Sequence, residues 1–381
     1  MKKHVSIFGS TGSIGISALK IADSFPDIIK IESLTANSSF ELLIEQTKKH
    51  NPRSICIVQE EFYKDLKAGV NSKQVEILVG RQGLIELSRR EDVDIMLNGL
   101  VGAAGMEPTL YAIESGVNVA LANKESLVMA GGIINKAMKS SGAKLFPVDS
   151  EHSAIWQCLA GESLNEVRRI ILTGSGGPFR KRELETFIDI TVEEALNHPN
   201  WDMGKKISID SATMMNKCLE VIEAYWLFNL DPKNIDIIIH PQSVIHSMVE
   251  FKDGSIKAQM GVPDMKVPIQ YALTFPSHLN SQWESLDFLS CGDLTFRAPD
   301  FKRFPSLKLA YSVLNTGGTA SAALNLSNDY AVKKFLEGKI KFTEIYRINC
   351  SSVRNHPWVV EPNLNDLTDL DSWVKKHVND F

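Results

Sequence analysis

The chain has 381 residues, of which 44% are hydrophobic and 23% are charged, as in a globular protein with large cores. Its net charge of −5 at pH 7 argues against binding to nucleic acid through the phosphate backbone, which requires an excess of Lys and Arg. No apolar run reaches the roughly 18 residues of a membrane span, so we expect neither nucleic acid nor a membrane as a partner.

The cysteines and the N-terminal residues bear on the cellular compartment. The five cysteines are odd in number, widely spaced and without a CxxC pair; they are Cys56, Cys158, Cys218, Cys291 and Cys350. This pattern favours reduced thiols and does not suggest a zinc site. The first residues run directly into a strand-like segment, without the apolar stretch of a signal peptide. We therefore expect a cytoplasmic protein.

The chain opens with a pattern typical of a dinucleotide-binding unit. A short apolar strand at 5–8 is followed by the turn GSTGSIG at 9–15 and by helical spacing at 16–25. Glycines in such a turn let the backbone approach a pyrophosphate, whose charge the first amides of the helix receive. A tight turn without a ligand is the alternative, but the order strand, turn, helix favours nucleotide binding.

The end of the second strand indicates which dinucleotide is bound. The strand predicted at 28–34 leads into Thr35, Ala36, Asn37, Ser38 and Ser39, where a protein that binds NAD usually places an acid against the ribose. This segment contains hydroxyl and amide side chains instead, which suit a 2′-phosphate better than a carboxylate does. The segment therefore favours NADP, with Asn37 as a candidate contact.

Further strands alternate with helices and predict a parallel sheet covered on both faces. The strands are predicted at 54–58, 75–79, 93–97, 117–122 and 143–146. Ligands of such sheets gather at the carboxyl ends of the strands. Three of these ends carry polar groups, namely Asn98-Gly99, Asn123-Lys124-Glu125-Ser126 and Asp149-Ser150-Glu151. Lys124 could be a solvated loop lysine, but its place on this rim favours a contact with substrate.

Asp149 and Glu151 follow the last of these strands and precede a helix predicted at 153–159. Two carboxylates two residues apart at the exit of a strand point the same way. They offer oxygen ligands to a hard cation such as Mg²⁺, which is usually held by only one or two carboxylates. Capping of the following helix is the alternative explanation for this segment.

A glycine-rich loop follows the strand predicted within 170–179. Its residues Gly174-Ser175-Gly176-Gly177 expose consecutive amides, and such a nest binds anions. A bulged turn explains the glycines equally well.

Residues 198–204, HPNWDMG, form a loop between a helix predicted at 192–196 and a strand predicted at 206–209. Trp201 and Met203 are costly to expose in such a loop unless they cover a ligand, which predicts a lid. A small local core under the loop is the competing interpretation.

A long helix is predicted at 210–228. Asn216, Lys217 and Glu220 share one of its faces, and Ser211 lies near its positive end. This end can hold a phosphate through Ser211, Asn216 and Lys217, while Glu220 supplies a third oxygen to a metal. The alternative is an ordinary surface ion pair between Lys217 and Glu220.

Several motifs together resemble the 1-deoxy-D-xylulose 5-phosphate reductoisomerase family. They are GSTGSIG at 9–15, NKES at 123–126, PVDSEHSAI at 147–155, LTGSGGPF at 172–179, HPNWDMGKKISIDSATMMNKCLE at 198–220, HPQSVIHSMV at 240–249 and GVPDMKVP at 261–268. The resemblance implies an enzyme of non-mevalonate isoprenoid biosynthesis. Such an enzyme rearranges 1-deoxy-D-xylulose 5-phosphate and reduces the resulting aldehyde with NADPH to 2-C-methyl-D-erythritol 4-phosphate.

The resemblance also implies roles for individual residues. The metal ion, Mg²⁺, Mn²⁺ or Co²⁺, would be held by Asp149, Glu151 and Glu220, which form the catalytic set together with Lys124. The sugar-phosphate substrate would be bound by Lys124, Ser150, Glu151, Ser175, His198, Ser211, Asn216, Lys217 and Glu220. NADPH would be contacted by Thr11, Gly12, Ser13, Ile14, Asn37, Asn123, Glu125 and Gly204. Trp201 and Met203 would belong to a flap that closes.

The predicted fold class is α/β, with four segments. They are a Rossmann-type NADPH-binding domain at 1–149, an α+β catalytic, metal-binding and dimerisation domain at 150–275 with a flap near 197–205, a connector at 276–303 and a small helical domain at 304–381. Strands are predicted at 235–239, 243–251 and 258–261, and helices at 306–314, 319–326, 330–337 and 342–353. The family usually forms homodimers through the second domain, so we expect a homodimer, with His246 as a further candidate site residue.

Three positions, at two places in the chain, depart from the family pattern. Many members have a Gly and a basic residue where this chain has Asn37 and Ser38, and most have Gly where it has Cys218. A thiol at position 218 predicts a site that is sensitive to oxidation.

Two other functions are compatible with the fold. Another two-domain NADP-dependent dehydrogenase would need a catalytic Cys or a metal-free His site, and a non-catalytic NADP sensor would have no use for three acids.

Overall fold

The computed structural model describes residues 2–71, 73–198, 201 and 203–381. The chain divides into two compact units. Unit 1 consists of the described residues of 1–126, 132–153 and 264–284, and unit 2 consists of those of 127–131, 154–263 and 285–381. Among the described residues, none of the helices has both the length and the apolar composition needed to traverse a lipid bilayer.

The described residues contain eleven strands and fifteen α-helices. The strands are β1 Lys3–Phe8, β2 Ile29–Ala36, β3 Ser54–Ile57, β4 Glu76–Val79, β5 Ile95–Asn98, β6 Asn118–Leu121, β7 Leu145–Pro147, β8 Val167–Gly174, β9 Ile235–Ile239, β10 Ile245–Phe251 and β11 Ile256–Met260. The helices are α1 Ser13–Ser24, α2 Phe40–His50, α3 Tyr63–Gly69, α4 Gly80–Ser88, α5 Met106–Glu114, α6 Lys124–Ser141, α7 Ser150–Leu159, α8 Val192–Leu196, α9 Lys205–Ala212, α10 Met215–Phe228, α11 Lys266–Thr274, α12 Ser306–Thr316, α13 Ala320–Leu336, α14 Phe342–Asn355 and α15 Leu364–Asp380.

Unit 1 is built on a seven-stranded parallel sheet in the order β4-β3-β2-β1-β5-β6-β7. Strands β3 and β5 are buried at every residue, as expected for strands covered on both faces. The predicted Rossmann-like α/β fold is confirmed.

The strand order reverses between β1 and β5, which neighbour each other at the centre of the sheet. Ligands of open α/β sheets bind at such a reversal, outside the carboxyl ends of the strands. The loops after these two strands lie close together, because a Cβ added to Gly9 would be 2.9 Å from the carbonyl oxygen of Gly99. Gly9 also has a φ of 79°, a conformation that favours glycine.

Unit 2 contains a four-stranded mixed sheet in the order β11-β10-β8-β9. Strands β8 and β9 are parallel, whereas β10 runs antiparallel to both β8 and β11. Helix α10 packs against β8, β9 and α12. The C-terminal helices pack around α13, which contacts α12, α14 and α15.

The structure corrects three predicted elements of unit 2. The strand predicted at 206–209 is part of helix α9, and an ion pair between Lys206 Nζ and Asp210 Oδ2, 2.8 Å apart and one turn along the helix, accompanies this conformation. The long helix predicted at 210–228 is two helices, because Met214 adopts a left-handed φ of 58° between α9 and α10. The two helices predicted at 319–326 and 330–337 are the single helix α13.

Candidate active site

The glycine-rich turn of unit 1 brings the backbone to the start of α1. Gly12 is the N-cap of this helix and has extended backbone angles. Thr11 and Ile14 are half-buried, while Gly12 and Ser13 are exposed, so the first turn of α1 faces solvent. A side chain at Gly15 would place its Cβ 2.4 Å from the carbonyl oxygen of Gly9, which explains why the turn needs glycine there. The positive end of a helix presented in this way is suited to a pyrophosphate.

Thr35 supports this turn from the end of β2 and is itself fully buried. Its Oγ1 accepts a hydrogen bond of 2.9 Å from the Gly9 amide. Ser10 is fixed in turn by Gln46, since Ser10 Oγ donates to Gln46 Oε1 at 2.7 Å and Gln46 Nε2 donates to the Ser10 carbonyl at 2.9 Å. Sequence reasoning placed Thr35 with the candidate ribose contacts and missed this supporting role. Asn37, two residues after Thr35, is exposed and accessible to a ligand.

Asn123 is buried at the N-cap of α6, and its side chain holds neighbouring loops together. Its Nδ2 donates to the carbonyls of Leu100 and Gly102 at 3.0 and 2.9 Å, and to Glu125 Oε2 at 3.1 Å. Its Oδ1 accepts from the Ser126 amide at 3.1 Å. The prediction that Asn123 and Glu125 contact the cofactor stays a prediction, and both side chains belong to a buried network.

Lys124 and Asp149 stand at the ends of neighbouring strands, β6 and β7, and form an ion pair between Nζ and Oδ2. The two side chains are 8% and 14% exposed, respectively. His152, which is fully buried on α7, has Nδ1 at 3.9 Å from the same carboxylate oxygen. The order β1-β5-β6-β7 therefore places the glycine turn, Asn98, Lys124 and Asp149 along one edge of the sheet.

Ser150 and Glu151 form the first residues of α7 and are half-buried. Ser150 Oγ donates a hydrogen bond of 2.6 Å to Glu151 Oε2. The carboxylates of Asp149 and Glu151 thus both belong to the junction between β7 and α7. Their oxygens are the ligand type that Mg²⁺, Mn²⁺ and Co²⁺ accept, so the residues present fit such an ion.

In unit 2, the glycine-rich loop after β8 serves close packing. A Cβ at Gly174 would be 2.9 Å from Lys217 Cε, and a Cβ at Gly177 would be 2.6 Å from the Ser211 carbonyl oxygen. Gly177 has a φ of 68°. Ser175, between them, accepts a hydrogen bond of 3.2 Å from the Gly177 amide through Oγ. The loop therefore brings Ser175 next to the segments that carry Ser211 and Lys217.

Helix α10 places Asn216, Lys217 and Glu220 on one face, as predicted. Lys217 Nζ contacts Glu220 Oε2, and Asn216 Nδ2 donates to Glu220 Oε1 at 2.5 Å. Lys217 is 3% exposed and Glu220 is fully buried, so this is not the surface ion pair of the alternative interpretation. A buried ammonium beside an amide can bind a phosphate, and a buried carboxylate can bind a cation.

Ser211 does not lie at the positive end of this helix, contrary to the prediction. It lies in the last turn of α9, and Met214 separates it from α10. Its carbonyl oxygen accepts from the Met214 amide at 3.1 Å, which closes the reverse turn between the two helices. The turn still leaves Ser211 beside the glycine-rich loop, as the approach of Gly177 shows.

His198 lies near the start of the predicted flap and is half-buried. Its Nε2 lies 3.2 Å from Ser175 Oγ, and its Nδ1 accepts from the Trp201 amide at 3.1 Å. Burial lowers the pKa of His198, and the positive charge of Arg180 lowers it further. Gly204 is the exposed N-cap of α9. The predicted flap also includes Pro199, Asn200 and Asp202, which lie outside the described residues.

Two histidines of the HPQSVIHSMV motif are buried in unit 2. His240 is bound on both ring nitrogens, with Nδ1 at 3.0 Å from the Thr295 carbonyl and Nε2 accepting from the Val244 amide at 3.2 Å. It also stacks on Phe296, which is consistent with a structural role. His246 is 8% exposed on β10. Its predicted role in the site stays a prediction.

Comparisons with known proteins agree along the chain. Family models described as "1-deoxy-D-xylulose 5-phosphate reductoisomerase", the C-terminal domain of that enzyme and "DXP reductoisomerase C-terminal domain" match residues 5–131, 145–228 and 260–377. Two similar curated relatives are the 1-deoxy-D-xylulose 5-phosphate reductoisomerases of Chloroherpeton thalassium and Geotalea daltonii. The first is 49% identical, with 99% of this chain and 98% of the relative covered, and the second is 46% identical, with 100% and 99% covered.

Solved structures give the same result. The reductoisomerase from Zymomonas mobilis in complex with NADPH superposes with a TM-score of 0.94 at 42% identity, over 99% of this chain and 98% of the other. A DOX-P reductoisomerase in complex with NADPH, fosmidomycin and magnesium has a TM-score of 0.94 at 40% identity, with the same coverage.

Proposed function

This chain belongs to the 1-deoxy-D-xylulose 5-phosphate reductoisomerase family, and from that premise we infer how its residues divide the reaction among them. The enzyme converts 1-deoxy-D-xylulose 5-phosphate to 2-C-methyl-D-erythritol 4-phosphate with NADPH and a divalent metal ion, a step of isoprenoid biosynthesis. The observation that carries the division of roles is the edge of the unit 1 sheet. There, the dinucleotide turn, Lys124 and the Asp149 carboxylate follow strands β1, β6 and β7, respectively, at the same edge of the sheet.

The proposed metal ligands are Asp149, Glu151 and Glu220. All three are carboxylates, and such a set suits Mg²⁺, Mn²⁺ or Co²⁺ better than it suits a softer ion. When bound, the ion supplies Lewis acidity to the neighbouring oxygens of the substrate. The binding of Mn²⁺ can be followed directly by electron paramagnetic resonance, without turnover. We expect Asp149→Asn to weaken Mn²⁺ binding by about tenfold or more, because it removes one anionic oxygen.

Lys124 and Ser150 are proposed to bind the carbonyl and hydroxyl end of the substrate, together with Glu151. Lys124 is held in place by its ion pair with Asp149, so its ammonium can donate a hydrogen bond to a developing negative charge without first moving. Ser150 Oγ, which donates to Glu151, keeps that carboxylate oriented. Positioning of this kind contributes to catalysis because the groups need no reorganisation during the reaction.

Ser175, Ser211, Asn216 and Lys217 are proposed to bind the substrate phosphate, with His198 beside them. The support comes from unit 2 alone. The glycine-rich loop packs against the Ser211 carbonyl and the Lys217 side chain, and His198 Nε2 lies 3.2 Å from Ser175 Oγ. A buried ammonium surrounded by hydroxyl and amide donors is suited to a phosphate dianion.

NADPH is proposed to lie along the turn formed by Thr11, Gly12, Ser13 and Ile14, with Asn37 near the 2′-phosphate. Asn123 and Glu125 would act from the buried loop at the start of α6, and Gly204 from the start of α9. The segment 197–205 is the proposed flap, with Trp201 and Met203 covering the bound ligands. Closure of such a flap excludes water from a reactive aldehyde until hydride arrives.

We propose a cytoplasmic homodimer that pairs through the second sheet. Its edge strand β11 has an exposed residue, Ile256, at 54% exposure, and an edge strand is a ready surface for pairing. The four-segment division at 1–149, 150–275, 276–303 and 304–381 is retained as a proposal about function. Sedimentation equilibrium at micromolar concentration tests the dimer, and a monomer would contradict it.

The assigned phosphate site is tested by comparing the phosphorylated substrate with the sugar that lacks the phosphate. We expect NADPH oxidation with 1-deoxy-D-xylulose 5-phosphate and a loss of more than about 100-fold in kcat/KM with the unphosphorylated sugar, because binding energy of the phosphate aligns the reacting end. Lys217→Met should reduce this discrimination, whereas Lys308→Met, at an exposed position on α12, should not. Equal kcat/KM for both sugars would contradict the assignment.

A further inference from the structure

A buried polar network joins α9 to the C-terminal helices of unit 2. Its centre is the Asp210 side chain, which is 2% exposed on α9. Asp210 Oδ1 accepts a hydrogen bond of 2.7 Å from Nδ2 of Asn328, a fully buried residue of α13 that is 118 positions away in the chain. The second oxygen, Oδ2, lies 2.8 Å from Lys206 Nζ.

The network continues into α14. Asn349 Nδ2 donates to Asn328 Oδ1 at 3.1 Å, and Ser327 Oγ donates to Asn349 Oδ1 at 3.1 Å. Asn328, Asn349 and Ser327 are all fully buried. On the other side, Lys206 Nζ also reaches Asp329 Oδ1 at 3.1 Å. The Asp210 carboxylate is thus held by Lys206 of its own helix and by Asn328 of α13. Asn349 of α14 in turn orients the Asn328 side chain.

Such a network fixes one arrangement of helices. Burying amides and a carboxylate costs free energy unless each group is hydrogen-bonded, so any displacement of α9 relative to α13 breaks bonds that nothing in an apolar core replaces. Helix α9 has only eight residues and would be marginal in isolation. The position of α9 is therefore set by its hydrogen bond and ion pair with Asn328 and Asp329 of α13.

The position of α9 matters for the proposed phosphate site. Ser211 follows Asp210 directly, and its carbonyl oxygen packs against Gly177 of the loop that carries Ser175. A displacement of α9 would change the spacing between the Ser211 and Ser175 hydroxyls. Gly204, which belongs to the proposed flap, is the N-cap of the same helix.

We propose that Asn328 is a positioning residue for the substrate phosphate, acting through Asp210 to hold α9 and hence Ser211 in register with the glycine-rich loop. This inference rests on the proposed function of Ser211. It assigns to the C-terminal helices a role in substrate binding, although Asn328 itself is not proposed to touch the substrate.

The test is Asn328→Asp, which replaces the donor to Asp210 with a second carboxylate of equal size. We expect KM for 1-deoxy-D-xylulose 5-phosphate to rise about tenfold, with kcat within about threefold and the Kd of NADPH unchanged. The double variant Asp210→Asn with Asn328→Asp exchanges donor and acceptor, and should restore KM to within about threefold of the starting protein. Asn365→Asp, an exposed change of the same type on α15, is the control.

Two further variants keep the outcome decisive. Lys206→Met removes one partner of Asp210 at a half-buried position and should raise KM by about threefold even if Asn328→Asp folds poorly. Ser211→Ala reports on the phosphate site itself and should raise KM. An unchanged KM in Asn328→Asp and Lys206→Met, with KM raised in Ser211→Ala, overturns the positioning role and leaves the proposed function intact. An unchanged KM in Ser211→Ala overturns the Ser211 assignment and the positioning role with it.

Discussion

Lys124 Nζ and Asp149 Oδ2 form an ion pair across the ends of two neighbouring strands, β6 and β7. Leu121 and Pro147 are paired in the sheet immediately before these residues, so the sheet itself sets the separation between the two charged groups. Both side chains are largely buried. Opposite charges fixed in this way stabilise a changing charge distribution in a ligand without first reorganising.

Replacing Lys124 by Met removes the ammonium that faces Asp149. We expect kcat to fall by about 100-fold or more, because the hydrogen-bond donor to the reacting end of the substrate is lost. The Kd of NADPH, measured by fluorescence titration, should change little. Lys136→Met, at an exposed position on the same helix α6, is the control. A kcat within threefold of the starting protein would exclude Lys124 from the catalytic set.

The Thr35 hydroxyl supports the dinucleotide turn by accepting a hydrogen bond from the Gly9 amide. Thr35→Val keeps the shape but leaves the Gly9 amide without the Oγ1 acceptor, so we expect the Kd of NADPH to rise by about three- to tenfold. Thr47→Val is the matched control, since the Thr47 hydroxyl donates within α2 to the Leu43 carbonyl. Equal NADPH affinity in the two variants would show that Thr35 does not hold the turn.

The pKa of His198 is lowered from its ordinary value of 6.5, first by burial and then by the positive charge of Arg180. The unfolded chain therefore takes up this proton at a higher pH than the folded protein does, and the folded protein loses stability as the pH falls from 6.5 toward the lowered pKa. Arg180→Met should raise the His198 pKa toward 6.5, as followed by the C2 proton resonance. A pKa that stays or falls in Arg180→Met would contradict this electrostatic coupling.

Cys218 is fully buried, and burial raises the pKa of its thiol. Burial argues against the predicted oxidation sensitivity, because the thiolate is the reactive form and burial disfavours it. In a labelling time course at pH 8 without denaturant, we expect Cys291, which is partly exposed, to react before Cys218. Labelling of Cys218 at the rate of Cys291 would support the predicted oxidation sensitivity.

The parallel sheet and its polar rim could be predicted from the sequence because their signals are local. Short apolar strands alternate with helical segments, and each carboxyl end is marked by polar residues such as Asp149. Because the strands are parallel and neighbours in one sheet, their carboxyl ends lie along the same edge. The metal-binding carboxylates themselves stay a prediction, since a pair such as Asp149 and Glu151 looks the same at a helix cap and at a metal site.

The segment before α10 was mispredicted because its local pattern is ambiguous. Lys206, Ile207, Ser208 and Ile209 alternate in polarity and read as a strand, yet they are helical. What holds this helix is Asn328, whose distance along the chain hides it from any local pattern. The left-handed turn at Met214 was likewise unpredictable, because methionine rarely adopts that conformation.

The central claim, that buried Glu220 holds the metal required for turnover, is tested most directly by NADPH oxidation with 1-deoxy-D-xylulose 5-phosphate and Mg²⁺ or Mn²⁺, before and after chelation. The expected result is turnover that stops on chelation, returns with added metal, and is reduced by about 100-fold or more in Glu220→Gln but not in the exposed Glu193→Gln. Turnover that persists in chelator, or a Glu220→Gln variant with the activity and metal dependence of the starting protein, would contradict the claim.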